Sequence, residues 1–334
     1  MNLLLTICIP TYNRKDVLIN EIIDYLSCND CRFRVKVNDN YSTDGTREAL
    51  ENIKDPRLLC CFNSENLGSI PNWILSLSNN TSDYLLFVLD KDFVDVKKLP
   101  LFLDYLEKER PFFGYIELDL SKSDSIETME PGFDNILKMA YLDKHPSGYF
   151  YRRDLFEKAI LKDSYLRIDK KFDFPFEVIN AEMALEYSST IYPSGLIITA
   201  NLRKDVVEGK TLSYNESNIW YGVPRRCVEY GYYLNNALSL DIPPKLIARL
   251  CRIVTETALY NVTVVFRNLM NNDVACNHYN IQKRTVGLME MSCNAKQIME
   301  IFSNESKKII VWYKRFLLRI QVLLKCYYRI LLHY

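Results

Sequence analysis

The stretch Tyr84-Leu85-Leu86-Phe87-Val88-Leu89-Asp90-Lys91-Asp92 runs through apolar side chains without a break and then turns to acid, cation, acid. A strand with no polar face needs cover on both sides, which is the situation of a strand in a parallel sheet between layers of helix. The same grammar repeats upstream. Leu3 to Ile9 reads as a buried strand stopped by Pro10. Val17, Leu18, Ile22 and Leu26 give Arg14 to Leu26 helical spacing, and Phe33 to Val37 is the next strand. The chain therefore opens with a strand-helix-strand unit.

Thr43 to Ile53, beginning Asp44-Gly45-Thr46, reads as a helix, followed by a short strand from Arg57 to Phe62. Gly68 to Leu77 reads as a helix with Pro71 in its first turn, where a missing N–H is tolerated. Beyond Asp92 the pattern predicts a helix over Leu99 to Glu109 and a strand over Phe113 to Leu118. A polar loop follows over Leu120 to Glu130. Gly148 to Arg152 and Leu196 to Leu202 read as strands, with a helical stretch at Glu177 to Tyr187 between them. The fold class is α/β: a Rossmann-like, mostly parallel sheet with helices on both faces. From about Ile219 the pattern is helical throughout. Gly209, Ser213, Asn215 and Ser217 mark a boundary near 215, giving segments 1–215, 216–306 and 307–334.

With 334 residues, 48% of them hydrophobic, the chain is able to bury a large core, so global disorder is excluded. Lys+Arg and Asp+Glu both total 42, and that balance gives no electrostatic reason for a nucleic-acid partner. The 10 cysteines are scattered, no secretory signal pattern opens the chain, and a reduced, cytoplasmic setting is expected. Cys28 and Cys31 form a C-x-x-C with no second pair at zinc spacing, and the 3 histidines stand far apart. No apolar run reaches the roughly 18 residues of a membrane-spanning helix.

Three polar clusters follow strands: Pro10-Thr11-Tyr12-Asn13-Arg14, Asp39-Asn40-Tyr41-Ser42-Thr43-Asp44-Gly45-Thr46 and Asp90-Lys91-Asp92. In open α/β sheets, ligands sit outside the carboxyl ends of strands near the reversal of strand order. A nucleotide-diphosphate sugar needs its base recognised, its diphosphate neutralised and its sugar presented to a nucleophile. Asp39 suits acceptance from a base N–H or ribose hydroxyl, and Asp90 with Asp92 suits a hard divalent cation. Read singly, each cluster is also an ordinary strand stop, turn or helix cap.

Taken in order, Ile7-Cys8-Ile9-Pro10-Thr11-Tyr12-Asn13-Arg14, Val37-Asn38-Asp39-Asn40-Tyr41-Ser42-Thr43-Asp44-Gly45-Thr46, Asn66-Leu67-Gly68 and Leu89-Asp90-Lys91-Asp92 resemble the motif series of bacterial family 2 glycosyltransferases of capsule and O-antigen synthesis. The resemblance is dense over the first 95 residues or so and looser to about 205. It implies a GT-A fold, a nucleotide-sugar donor, Mn²⁺ or Mg²⁺, and inverting transfer. It places Pro10, Thr11, Tyr12, Arg14, Asp39, Asn40, Asp90 and Lys91 around the donor. Asp92, with Asp90, would hold the metal from a rim loop free of core contacts. Two departures stand out: Phe93 follows the last acid where many relatives carry another, and Lys91 puts a cation inside the motif.

Inverting transfer needs a base opposite the leaving group. Glu177 is the first candidate, because aromatic neighbours raise a carboxyl toward a useful pKa, and Asp173 and Glu182 follow. Glu177 is equally an ordinary acid in the first turn of a helix. His145 suits acceptor or phosphate binding, or a simple loop. The segment 307–334 holds seven Lys/Arg and no Asp or Glu, interleaved with apolar residues. Such a helix lies on an anionic membrane surface or docks on the protein.

The expected activity is sugar transfer to a lipid-linked glycan acceptor by a cytoplasmic enzyme peripheral to the inner face of the membrane. A nucleotidyltransferase would need a Gly-rich phosphate loop that this chain lacks. The other alternative is a non-catalytic glycan- or nucleotide-binding assembly protein on the same fold.

Overall fold

A computed structural model describes residues 3–121, 125–162, 175–199, 222–308, 319–325 and 328. They fall into two compact units, one within residues 1–209 and one within 210–334 apart from residues 171–174.

The first unit is built on an eight-stranded sheet. In chain order its elements are β1 (Leu5–Thr11), α1 (Lys15–Ser27), β2 (Phe33–Asp39), α2 (Thr46–Asn52), β3 (Leu58–Phe62), α3 (Ser69–Leu77) and β4 (Tyr84–Phe87). There follow β5 (Phe93–Val94), α4 (Leu99–Glu109), β6 (Phe113–Ile116), β7 (Glu127–Met129), α5 (Phe133–Met139), β8 (Tyr149–Arg152), α6 (Arg153–Lys162), α7 (Pro175–Glu186), β9 (Ser189–Tyr192) and β10 (Ile197–Ile198). The strand order is β3-β2-β1-β4-β8-β6-β9-β7, with β5 and β10 forming a separate antiparallel pair. Only β8 and β7 run against the rest, so the sheet is mostly parallel, as the sequence predicts.

Every residue of β1 is buried, because β2 and β4 flank it and helices cover its faces. Pro10 does not end it. The strand runs through to Thr11, and Pro10 lies opposite Asn38, beyond the point where the ladder with β4 stops at Cys8 and Phe87. A proline is tolerated where one neighbour has already left. The polar stretch read as loop over Leu120 to Glu130 contains the edge strand β7, too short and too polar to show a pattern. The strand expected over Leu196 to Leu202 is the two-residue β10, outside the main sheet, and residues 200–202 lie outside the described set.

Several helix ends are closed by distant side chains. Lys36, 2% exposed, donates to the carbonyls of Leu75 (3.2 Å) and Ser78 at the end of α3. Asn135 donates to the carbonyls of Ala184 (3.2 Å) and Tyr187 (2.9 Å) at the end of α7. Such bonds satisfy carbonyls that have no intrahelical partner.

The second unit is helical: α8 (Val223–Ser239), α9 (Pro244–Tyr260), a π-turn (Asn261–Val265), α10 (Phe266–Met270), α11 (Asp273–Tyr279) and α12 (Leu288–Glu305). The π-turn leaves the Val262 carbonyl to accept from Asn294 of α12 at 3.1 Å. A buried ion pair joins Arg226 and Glu229 at 2.8 Å on α8. Near the C-terminus, Val322 is 1% exposed and Lys325 pairs with Glu256 of α9. Among the described residues no helix is long and apolar enough to cross a membrane.

Gly114 of β6 sits where a Cβ would come within 2.2 Å of the Thr190 carbonyl and 2.4 Å of the Phe150 ring. Gly114→Ala must therefore push β8 from β9, and a stability loss of about 3 kcal/mol is expected in urea unfolding. An unchanged midpoint would mean that the strands are not packed as closely as this.

Candidate active site

The three parallel strands β2, β1 and β4 turn polar together at their carboxyl ends. Thr11 stands opposite Asp39 in the β1–β2 register, and the ladder continues through the Asn40 amide to the Thr11 carbonyl (2.9 Å) and the Asn63 amide to the Asp39 carbonyl (2.9 Å). On the other side the Val88 amide donates to the Cys8 carbonyl at 3.0 Å, carrying the chain to Asp90. The Thr11 hydroxyl donates to Asp90 Oδ2 at 2.9 Å, and Arg14 Nε lies 3.4 Å from its Oδ1. Burial pushes the Asp90 carboxyl up, with the Arg14 guanidinium and the Thr11 hydroxyl pulling the other way.

The loops after β1 and β2 are sewn to each other. The Asn13 amide donates to Ser42 Oγ (2.8 Å), and Asn13 Oδ1 accepts from the Thr43 amide (2.7 Å). Asp44 accepts from the amide of Lys15 (3.0 Å) at the start of α1 and from that of Thr46 (3.1 Å) at the start of α2. One carboxylate thus serves two helices that carry no cap of their own. Burial alone would raise Asp44, yet these hydrogen bonds hold it below the ordinary carboxylate range. Asp39, 2% exposed, accepts from the Ser42 hydroxyl and from the Ser42 amide at 3.2 Å.

Not every residue expected at the donor is turned toward it. Pro10 is buried inside β1. Asn40 donates to Asn66 Oδ1 (2.9 Å) and the Gly68 carbonyl (3.1 Å), and accepts from Asn63 (3.0 Å) and the Leu67 amide (2.9 Å). Its amide is used up holding the 63–68 loop, so it positions the site from behind. The exposed rings at this rim are Tyr12 (44%) and Tyr41 (53%). Tyr41 has φ 67°, a costly conformation for a bulky side chain. Lys91 is partly exposed beside the two acids.

Asp92 corrects the expectation of a rim acid without core contacts. It is 0% exposed, accepts from the Ser147 hydroxyl, and lies 3.5 Å from His145 Nε2. Ser147 Oγ also accepts from the Leu89 amide at 2.9 Å, so one buried hydroxyl joins the Asp90-Lys91-Asp92 turn to the segment before β8. The Ser147 amide donates to His145 Nδ1 at 3.2 Å, so the neutral ring carries its proton on Nε2, toward Asp92. Burial pushes the imidazole down, with Asp92 drawing it back up in part.

Glu177 anchors the other side of that segment. Its carboxylate accepts from the amides of Leu142 and Lys144 and from the Tyr149 hydroxyl, each at 2.9 Å, and the residue is 1% exposed. Burial and then Asp143 push its carboxyl up to about 7, against the two amides. Burial raises the Tyr115 phenol, and the nearby charges of Glu117, Glu177 and Asp92 raise it further. Glu182 points elsewhere, lining a small cavity between α6 and α7 with Lys158 and Tyr187. Asp173 lies outside the described residues. Tyr41 falls in the polar cluster read after β2, and Ser147 and Tyr149 fall in a stretch resembling one that family members use near the acceptor, but the sequence does not show that the Ser147 and Tyr149 hydroxyls reach Asp92 and Glu177.

Hard oxygen donors at the end of β4 suit Mn²⁺ or Mg²⁺, which are held by one or two carboxylates with substrate phosphates completing the shell. Among the described residues no group of three His, Cys, Asp or Glu is arranged to hold an ion alone. The residues therefore fit an ion shared with a diphosphate, not a self-sufficient metal centre. A groove of about 520 Å³ beside Tyr105, Phe112 and Ser188 opens at the amino ends of β6 and β9, away from Asp90, and is no part of this site.

A mostly parallel sheet whose switch point gathers Thr11, Asp39 and Asp90 at one rim defines a glycosyltransferase fold of the GT-A class. Residues 6–160, a little under half of the chain, match the model described as glycosyl transferase family 2, so this segment is similar to that family. A stretch of 119 residues is 31% identical to the abequosyltransferase RfbV of Salmonella typhimurium, covering 33% of this chain and 35% of the relative. Another of 119 residues is 27% identical to the UDP-Glc:alpha-D-GlcNAc-diphosphoundecaprenol beta-1,3-glucosyltransferase WfaP of Escherichia coli, covering 36% and 47%. The matched stretches thus span less than half of either curated relative. In fold the chain is similar to S. aureus TarS in complex with UDP (TM-score 0.61, 14% identity, 97% of this chain and 88% of that one). It is also similar to the mannosyltransferase PcManGT of Pyrobaculum calidifontis in complex with GDP-Man and Mn²⁺ (TM-score 0.51, 14% identity, 99% and 88%).

A carboxyl raised from 4.5 to about 7 binds a proton in the folded state that the unfolded chain has released. Its contribution to stability is complete below pH 4.5 and is lost as pH rises through 7. The stability of the native chain relative to Glu177→Gln, read from urea titrations, should therefore fall by roughly 3 kcal/mol across that window. A flat difference would mean that the amides of Leu142 and Lys144 outweigh burial and keep the carboxylate ionised.

Proposed function

We propose that this protein is a metal-dependent, inverting glycosyltransferase that moves a sugar from a nucleotide-sugar donor to a lipid-linked glycan acceptor in building a bacterial surface polysaccharide. The observation that carries the reading is the convergence of Thr11, Asp39 and Asp90 on one rim, within the residues that match family 2. The abequosyltransferase activity of RfbV and the glucosyltransferase activity of WfaP support sugar transfer, and the diphosphoundecaprenol-linked substrate of WfaP supports a lipid-linked acceptor and a surface polysaccharide. The Mn²⁺ bound to PcManGT supports use of a divalent ion. In this reading the catalytic domain is 1–215, 216–306 is a helical C-terminal region, and 307–334 meets an anionic membrane surface at the inner face of the membrane.

Each residue then has a chemical task. Asp39 accepts from the base or ribose, with Tyr12 and Tyr41 offering ring faces at the same rim. Arg14 and Lys91 offset the charge of the diphosphate. Asp92 and Asp90 hold the ion, which when bound stabilises the charge released onto the leaving diphosphate. The acceptor hydroxyl oxygen bonds to the anomeric carbon as the bond to phosphate oxygen breaks, and its proton passes to the base. Glu177 takes that proton by exchanging its bond from Tyr149 for one from the acceptor, and Asp173 is the substitute, since Glu182 faces the cavity between α6 and α7.

The second reading, a non-catalytic nucleotide- or glycan-binding protein, draws on the burial of Asp92 and Glu177. A panel of nucleotide sugars with Mn²⁺, read by nucleotide release, separates the two. Release from one donor is expected, and none from any donor would leave the binding protein standing.

Asp92→Asn preserves an acceptor for Ser147, so folding should hold while Mn²⁺-dependent nucleoside diphosphate binding weakens at least about tenfold, a loss of about 1.4 kcal/mol. Asp39→Ala should instead weaken binding equally with and without EDTA. Calorimetric titration of both variants checks the split, and an Asp92→Asn protein with native Mn²⁺ response would remove Asp92 from the metal.

A further inference from the structure

The C-terminal segment offers a face that the helical unit does not cover. Val322 is buried and Lys325 pairs with Glu256 of α9, which together fix how the helical residues 319–325 are rotated. At about 100° per residue, Ile320 and Leu324 lie about 160° and 200° round from Val322, on the side away from the protein. Their exposure agrees: Ile320 is 40% exposed, Leu324 67%, and Tyr328, one turn on, 64%. Three large apolar side chains at i, i+4 and i+8 thus form a stripe directed outward.

The cations take the opposite side. Arg319 and Lys325 lie about 60° to either side of Val322, flanking the protein-facing edge. The segment 307–334 carries seven Lys/Arg and no Asp or Glu. A segment with seven cations and no acid is matched by an anionic surface and not by a second copy of itself, which carries the same charges. Long basic side chains reach sideways from such a position to headgroups while the stripe enters the acyl boundary. A tyrosine at the stripe's end suits the interface between the two.

We propose that Ile320, Leu324 and Tyr328 are the lipid-contacting stripe of this protein, so that the helical residues 319–325 lie between the rest of the helical unit and an anionic bilayer. The proposal rests on the membrane reading given under Proposed function and deepens it by naming the face and its orientation. The cations then act at the edges of the contact, while the face opposite the protein is apolar.

The test uses the full chain and sedimentation with phosphatidylcholine vesicles with and without phosphatidylglycerol. Native protein should bind the anionic vesicles, and the double variant Ile320→Glu, Leu324→Glu should bind them at least about tenfold more weakly. Because both positions are exposed, the melting temperature and nucleoside diphosphate binding should not change. Tyr328→Trp gives an independent reading: its emission should be quenched by brominated acyl chains beyond the quenching of the native protein. If native protein and double variant bind equally, the stripe is wrong while the membrane reading stands. If the native protein binds no vesicles, the membrane reading falls and takes the stripe with it. A native dimer that the glutamates dissociate would show the stripe to be a contact between copies, and a fall in melting temperature would show it to be buried; either overturns the proposal.

Discussion

Strand β1 is hydrogen-bonded on both edges, and its position ties the polarity of its neighbours to its own. Seven consecutive buried residues have to remain apolar, or have their polar atoms bonded, until all three central strands reach the same level. Thr11, Asp39 and Asp90 meet that demand by bonding, the Thr11 hydroxyl to Asp90 and the Asp39 carboxylate to Ser42. A one-residue slip of β2 would carry Asp39 to the opposite face and put Asn38 or Asn40 in its place. The asparagines guard against this: Asn72 accepts from Asn38 (2.7 Å) and Asn63 (2.9 Å) and returns a bond to the Asn38 carbonyl (3.1 Å), locking β2 to α3. Such a fully bonded polar network specifies one register where apolar packing alone would tolerate several.

The same device recurs with carboxylates. Asp44 holds the starts of two helices, Asp92 receives the hydroxyl of Ser147, and Glu177 gathers two amides and a phenol. The residues from Tyr141 to Gly148 consequently form a strap fastened at both ends, to α7 through Glu177 and to the turn after β4 through Ser147. Gly148, at φ 107° and with a would-be Cβ only 3.0 Å from the Ile116 carbonyl, lets the strap pass close under β6. The Tyr115 hydroxyl donates to the His145 carbonyl at 3.3 Å in its middle. Displacement of either acid is therefore felt by the other through a short covalent segment.

The central strands and their helices were legible because burial on both faces writes an unbroken apolar run and each helix begins at a turn signal. Leu99 to Glu109 is a helix over the whole predicted range, since Pro100 sits in its first turn and the chain leaves it at Arg110 in a left-handed conformation. Strand β9, Ser-Thr-Ile-Tyr, carries too little apolar signal to be read, and α5 and α6 are short helices whose amphipathic pattern was not resolved from loop. At the site, the order of polar clusters identified which strand ends converge. It did not show what each carboxylate touches. Asp39 and Asp92 have the same residue type and comparable flanks, yet Asp39 accepts from the local Ser42 and Asp92 from Ser147, 55 residues distant.

Burial of these acids bears on how a charged ligand is received. Asp90 is desolvated, yet it has Arg14 at 3.4 Å and Thr11 at 2.9 Å, while Asp92 faces the proton of His145. A desolvated acid beside a cation is a pair whose attraction only partly repays its lost hydration. Phosphate oxygens arriving at Arg14 and Lys91 compete for the same cations, which leaves the carboxylates with a deficit of positive charge. On the reading proposed for this site, a divalent cation makes up that deficit, so donor and ion enter together more favourably than either does alone.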